Sequence, residues 1–451
     1  MHAYPYYYYI HIYDCITYIL VSLIEFVSKT IEDKKMNGRD EWKYMIIRPE
    51  KAGVGDLWRF WRKGDIESGS KFIKSNYEED YYGILDIEKW SLMFEGKDNR
   101  WVIVVSVIAR KLIKGVAKPM EFIGYFVDFL LNLLALNGNL FGLFINFLRD
   151  YQQEMSTQVF ILCDKPVNAD CILISFRGTE PYDADDWSTD FDYSWYEIPE
   201  LGKLHMGFLE ALGLGNRADT QTFRHNLQQK NIRVASAPEM AELTAYIEVK
   251  TKLKDLLEEH KNAKFVVTGH SLGGALAILF PTVLILHEES EMIKRLLGVY
   301  TFGQPRIGDA KLGRFIEEQL NKPELRYFRV VYCNDVVPRL PYDDKTFLYK
   351  HFGICLYYNS FYTQQKVEEE PNKNFYGIRY LIPAHVNAAW ELIRALMMGY
   401  LYGVDYQEDW YSIFVRVVGL VLPGISAHSP RDYVNSVRLG REYAVQMSSF
   451  D

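Results

Sequence analysis

Lys264–Ala277 reads KFVVTGHSLGGALA, and the order of residue types in it decides the fold. Phe265-Val266-Val267-Thr268 is a short apolar, β-branched run, the pattern of a strand buried on both faces. It ends in Gly269-His270-Ser271-Leu272-Gly273, a G-x-S-x-G sequence, and Ala275–His287 then reads as a helix. A serine between such a strand and such a helix sits on a turn too tight for flanking side chains, which explains the glycines. The turn points the hydroxyl outward, and the first N–H groups of the helix face any negative charge that develops beside it. Ser271 is therefore the expected nucleophile. His270 reads as a spacer whose ring packs.

Outward from this turn, strands and helices alternate from residue 157 on, the signature of an α/β fold. TQVFILCD and CILISFRGT precede it as short strands, and Glu239–His260 reads as an amphipathic helix. LLGVYTFG and RYFRVVYC come after it as further strands. The expectation is an α/β-hydrolase fold, with a mostly parallel central sheet and helices on both faces.

A serine nucleophile needs a base, and the base needs an orienting carboxylate. In α/β-hydrolases these come after the serine in the order acid, then histidine. Asp335, at the end of the strand in RYFRVVYCNDVVPRLP, is the first acid so placed. Three histidines come after it. His351 lies in a strand-like run and His385 opens a helical one, whereas His428 lies in the loop PGISAHSPRDY. The late loop favours His428, but residue pattern alone leaves all three open. A second donor to the oxyanion belongs on an earlier strand-end loop, and Phe176-Arg177-Gly178-Thr179 offers the Thr179 N–H. The acidic, aromatic stretch PYDADDWSTDFDYSWYEIP after it reads as a mobile cover, aromatic toward the site and acidic toward water.

Composition narrows the field. The formal charge is −8 with no long basic block, which leaves nucleic acid no electrostatic footprint. Five scattered cysteines without CxxC pairs argue against a zinc site or a disulfide framework and fit a reducing compartment. Aromatic residues make up 15% of the chain, and rings with polar tips suit boundaries between water and lipid. The Tyr-rich start lacks both a basic n-region and a small-residue cleavage site, so it reads as neither a signal peptide nor a firm membrane span.

The most apolar region runs from Trp101 to Leu148. Asp128 and the turn Asn137-Gly138-Asn139 argue against a simple span there and favour a hairpin in one lipid leaflet, with Arg110, Lys111, Lys114 and Lys118 at the head groups. The alternative is a set of buried core helices. The chain thus divides into an extension (1–40), a polar segment with an apolar lipid-associating region (41–150) and a catalytic domain (151–451).

Taken in order, FRGT, KLHMGF, VVTGHSLGGALA, TFGQPRIG and CNDVVPRLP resemble the fungal-type (class 3) lipases across roughly residues 155–345. YMIIRPEKAG, WVIVVSVIARK, PMEFIGYFVDFLLNLL, RGTEPYDADDW and DYVNSVRLG extend the resemblance to the plant oil-body triacylglycerol lipases. The resemblance implies hydrolysis of triacylglycerol or other acyl lipids at a lipid-droplet or membrane surface on the cytoplasmic side, with no cofactor and no metal. It implies a triad of Ser271, Asp335 and His428, with Thr179 and Leu272 at the oxyanion hole. A phospholipase A1 or galactolipase would use the same triad, and a catalytically impaired droplet protein would keep the fold.

The chain departs from that family in two places. The stretch before Trp42 reads as an added extension. Phe147-Leu148-Arg149-Asp150 also runs almost directly into YQQEMSTQVF, where family members carry further strands and a helix. A loss there is expected to strip one edge of the core.

Overall fold

The computed structural model describes residues 42–76, 97–135, 158–178, 188–199, 201–228, 244–320, 326–343, 349–374, 378–402, 406, 408 and 410–442. The strands are β1 (Lys43–Ile47), β2 (Ile73–Ser75), β3 (Val159–Cys163), β4 (Cys171–Phe176), β5 (Trp195–Ile198), β6 (Gly202–His205) and β7 (Lys264–His270). They continue as β8 (Leu296–Phe302), β9 (Gly308–Asp309), β10 (Tyr327–Tyr332), β11 (Tyr349–Lys350), β12 (Ile354–Tyr358), β13 (Thr363–Val367) and β14 (Arg441–Glu442). The helices that bear on function are α1 (Val54–Lys63), α2 (Lys97–Ala135), α3 (Ala245–Glu259), α4 (Leu272–Leu286), α5 (Ile378–Tyr402), α6 (Trp410–Gly419) and α7 (Pro430–Leu439).

The main sheet has the order β14-β13-β12-β10-β8-β7-β4-β3. Its centre, β4-β7-β8-β10-β12, is parallel, and β3 closes one side antiparallel to β4. A mostly parallel sheet carrying the serine turn at the carboxyl end of a central strand is the α/β-hydrolase arrangement. Ile172, Ile174 and Phe176 of β4 and Phe265 and Val267 of β7 point to one face, where they join the fully buried α4 and the buried side of α3 in the largest core. The α4 sequence LGGALAILFPTVLIL is apolar all round because it is enclosed on every side. Thr244 caps α3 by accepting the Ile247 N–H, so the described helix begins at Ala245, later than the pattern predicts. Expected residues 239–243 lie outside the described residues.

The opposite face is covered unevenly. Helices α5 to α7 lie near β10 and β12, where Val330, Tyr332 and Tyr358 form a separate core with Tyr433. At the β3 side, Phe160 and Leu162 point the other way from the core and are each 59% exposed. They share that face with Ser175 and Leu173, their register partners on β4.

The second sheet has the order β11-β9-β6-β5-β1-β2. Its core joins Met45 and Ile47 of β1, Phe60 of α1, Ile103 and Val107 of α2, Trp195 of β5, and Val336 and Val337 just beyond β10. Because β1 pairs with β5, residues 43–75 supply two strands to a sheet shared with the segment after 151.

Two expectations change here. The first apolar arm is the start of α2 and is not lipid-facing all round: Val102, Ile103 and Val107 are buried against the second sheet, while Trp101, Ile108 and Leu112 are exposed. Arg110 does not sit at head groups either. It binds Asp192 at 2.8 Å, and Lys111 binds the Ala52 carbonyl. Side chains from 123 to 148, the rest of the expected hairpin, lie outside the described residues, as does the extension 1–40. Among the described residues no helix is long and apolar enough to cross a membrane.

The expected cover is the second change. Residues 179–187 lie outside the described residues, and 188–199 build core instead of capping the site. Asp192 is fully buried between Arg110 and Arg217, and Tyr193 and Trp195 pack in the second core. The flanking guanidiniums hold the Asp192 carboxyl well below the usual carboxylate range despite its burial.

Candidate active site

Ser271 has φ 58° and ψ −131°, a conformation that a residue with a side chain adopts only where its surroundings enforce it. The surroundings do. The Ser271 N–H donates to the Phe302 carbonyl at 2.9 Å, which ties the turn to β8. A Cβ on Gly269 would lie 2.1 Å from the Gly273 carbonyl oxygen, and one on Gly273 would lie 2.2 Å from that of Phe176. Both glycines are thus required by close backbone approach. Leu272 is the first residue of α4, so its N–H has no partner within the helix and points out at the serine end. Thr179 lies outside the described residues. Gly178, beside it, runs so close to the serine turn that a Cβ there would meet the His270 carbonyl oxygen at 2.3 Å.

Three elements far apart in sequence meet at this turn. His428 Nε2 is 2.8 Å from Ser271 Oγ, and His428 Nδ1 is 2.8 Å from Asp335 Oδ2 and 3.0 Å from Oδ1. All three side chains are buried. Asp335 lies just past β10, and its loop is held rigidly. The buried Arg339 guanidinium donates to the carbonyls of Asp335, Cys333, Pro371 and, through Nε, Asn372. Asp335 Oδ1 accepts the Val337 N–H at 2.9 Å, and the Tyr433 hydroxyl donates to Oδ2. The carboxylate thus faces the donors of His428, Val337 and Tyr433, as an anion that must stay charged requires.

Helix α7 sets the position of His428. Pro430 opens it, and Asp432 in its first turn binds Arg394 of α5 at 2.8 Å and Arg416 of α6 at 3.0 Å. Tyr433, next along the helix, reaches back to Asp335 and accepts the Tyr332 N–H at 3.3 Å. Burial and the neighbouring Asp335 carboxylate push the Tyr433 phenol well above its ordinary pKa, which keeps it a donor. The sequence reading missed Tyr433, although its place five residues past His428 in RDYVNSV puts both on one end of a helix.

The other histidines do other work. His351 is buried with its Nε2 against the Pro338 carbonyl and 3.5 Å from Glu370. Burial, with Arg329 and Arg306 nearby, keeps its ring neutral by lowering its pKa well below the ordinary value. His385 bonds the Leu381 carbonyl one turn back in α5. His270 stacks on His428 with ring centroids 4.5 Å apart, and burial together with that neighbour drives its pKa well down. Among the described residues no group of three or more His, Cys, Asp or Glu is set to hold a metal ion. The arrangement can deprotonate a serine, hold the resulting imidazolium and present backbone N–H to an oxyanion, which is acyl-transfer chemistry.

Residues 173–345 match the family model described as Lipase (class 3). The chain is 44% identical to triacylglycerol lipase OBL1 of Nicotiana tabacum over 94% of its own length and all of that protein. It is 47% identical to triacylglycerol lipase OBL1 of Arabidopsis thaliana, over 90% of this chain and 96% of that one. The chain belongs to the class 3 lipase family. Among solved structures, the Rhizomucor miehei lipase propeptide complex is 26% identical with a TM-score of 0.32, covering 45% of this class 3 lipase and 52% of that chain. The tobacco alignment runs over 570 positions against 451 residues here, so that relative carries segments with no counterpart in this class 3 lipase.

Proposed function

We propose that the protein is a triacylglycerol lipase that hydrolyses acyl esters through Ser271, His428 and Asp335. The observation that carries this is the unbroken hydrogen-bond line from Asp335 through His428 to Ser271, set on a serine turn with positive φ. His428 takes the Ser271 proton as Oγ attacks the ester carbonyl. The Leu272 N–H, with that of Thr179, holds the oxyanion, and the carbonyl re-forms as the glyceride alkoxide leaves with the proton from His428. Water, deprotonated in turn by His428, attacks the acyl-serine and releases the fatty acid. Asp335 fixes the tautomer with Nδ1–H toward itself and stabilises the imidazolium. The names of the tobacco and Arabidopsis relatives support triacylglycerol as the substrate, and the oil-body resemblance supports a lipid-droplet surface as the place of action.

The test is fatty-acid release from emulsified triolein by the purified protein beside its Ser271→Ala variant. Release that vanishes in the variant is the expected result. Substantial residual release would sink the assignment of Ser271, and faster release from phosphatidylcholine than from triolein would move the protein to the phospholipases.

A further inference from the structure

Helices α5 and α6 and the short turn Pro423–Ser426 pack on one another next to the triad. Their amphipathicity runs backwards. Apart from Arg379, exposed at the start of α5, the charged side chains described in them point inward: Glu391, Arg394 and Arg416 are all but fully buried and meet Asp432 and Glu408 beneath the helices. The outward side is apolar. Ile382 is 75% exposed, Phe414 63% and Val421 74%, and between residues 381 and 425 every exposed described side chain is apolar. Scattered exposed apolar residues are ordinary, but a helix pair with its ions inside and its aliphatic side outside is built for a surrounding medium that is not water.

This face also lies in the right place. Ile425, 40% exposed, accepts the His428 N–H on its carbonyl at 3.1 Å. The carbonyl of Gly424 accepts the N–H of Val336, beside Asp335, at 3.1 Å. The turn that ends the face is therefore bonded to both the base loop and the acid loop. The family match ends at residue 345, before α5.

We infer that α5, α6 and the turn Pro423–Ser426 form the face by which the protein docks on the surface of an oil droplet, bringing exposed acyl chains to the mouth of the Ser271 site. The inference rests on the lipase reading and adds to it where the enzyme meets its substrate. Docking is in the plane of the surface, since Glu391 and Arg394 in the middle of α5 rule out a crossing. Between residues 381 and 425 the face exposes no described Lys or Arg, with Arg379 exposed only at the start of α5, so its main part offers acyl chains and oil an apolar contact and anionic head groups little.

The experiment is flotation of the Ser271→Ala protein with triolein droplets coated with phosphatidylcholine, which reads docking without turnover. Ile382→Glu/Val421→Glu in that background is expected to bind about tenfold more weakly or worse. Val167→Glu, an equally exposed apolar residue in the loop between β3 and β4, is expected to float like its parent. Phe414→Asp gives a second reading should the double variant fail to melt cooperatively. Equal flotation of all these proteins would overturn the inference. So would equal binding to phosphatidylcholine bilayer vesicles, or a dimer by light scattering that becomes monomeric in the double variant with flotation intact. Failure of the lipase reading shows separately, as wild-type protein that releases no fatty acid while the flotation pattern stands.

Discussion

Tyr433 is the residue whose removal says most about the site. Its hydroxyl gives one bond to Asp335 Oδ2 and takes one from the Tyr332 N–H, both in the interior. Tyr433→Phe keeps the ring but leaves an N–H and a carboxylate oxygen each short of a partner, at a cost of about 1–3 kcal/mol in stability. Through a loosened Asp335 it should lower kcat about tenfold with KM for triolein unchanged, the pattern of an interaction made in the transition state. Chemical denaturation and triolein kinetics check both, and an unchanged kcat would remove Tyr433 from any positioning role. Asp335→Asn goes further, because an amide holds the wrong tautomer of His428; a loss of about four orders of magnitude in rate is expected, with the fold retained. What the sequence shows at this scale depends on distance along the chain. Ser271 is legible because strand, glycines and helix are contiguous. Asp335 is legible as an acid at a strand end. His428 is not separable from His351 and His385 by pattern, since 157 residues part it from Ser271 and only the assembled sheet brings them together.

The inverted pair of helices α5 and α6 has a pH signature of its own. Beneath them, Glu391, Glu408 and Asp432 face Arg394 and Arg416, with the Tyr332 hydroxyl on Glu391 at 3.1 Å and the Tyr362 hydroxyl on Asp432 at 3.2 Å. Three carboxylates share two guanidiniums. Burial first, and then the Asp432 charge, push Glu391 up to about 7 from its usual 4.5. The folded protein therefore holds a proton there that the unfolded chain has released. Its contribution to stability is full below about pH 4.5, declines as pH rises through the window to about 7, and changes no further above it. Glu391→Gln removes that titration, so the stability of the variant relative to wild type should rise between pH 5 and pH 8. Thermal melts of both proteins at the two values decide the matter, and a constant difference would show that Glu391 does not titrate in this range. Such elements are only half legible from sequence. A Glu and an Arg inside an apolar helix announce that each needs a partner, yet Asp432 and Arg416 are not deducible as those partners. The same blindness made 188–199 read as a water-facing cover, because the guanidiniums that let Asp192 be buried come from residues 110 and 217.

At the scale of the whole molecule, the described residues give the main sheet one complete cover and one incomplete one. FVVT in β7 reads as a strand buried on both faces, and a central strand of that kind calls for a layer of structure on each side of the sheet. Helices α3 and α4 supply the first layer. On the second, no described helix buries the β3 side, where Phe160 and Leu162 stand exposed, and on the central strands β8 and β10 Tyr300, 40% exposed, stacks on Phe328. This is the edge where the sequence passes from Asp150 into β3 within a few residues. Phe160→Ser/Leu162→Ser tests what the sheet meets there. If water meets it, as the exposures indicate, the double variant should change the free energy of unfolding by less than about 1 kcal/mol. It should also reduce aggregation, since β3 then presents a less apolar open edge. A loss of about 3 kcal/mol or more in denaturant titration would instead show that a layer of this chain outside the described residues packs on Phe160 and Leu162, because only buried side chains cost that much to truncate.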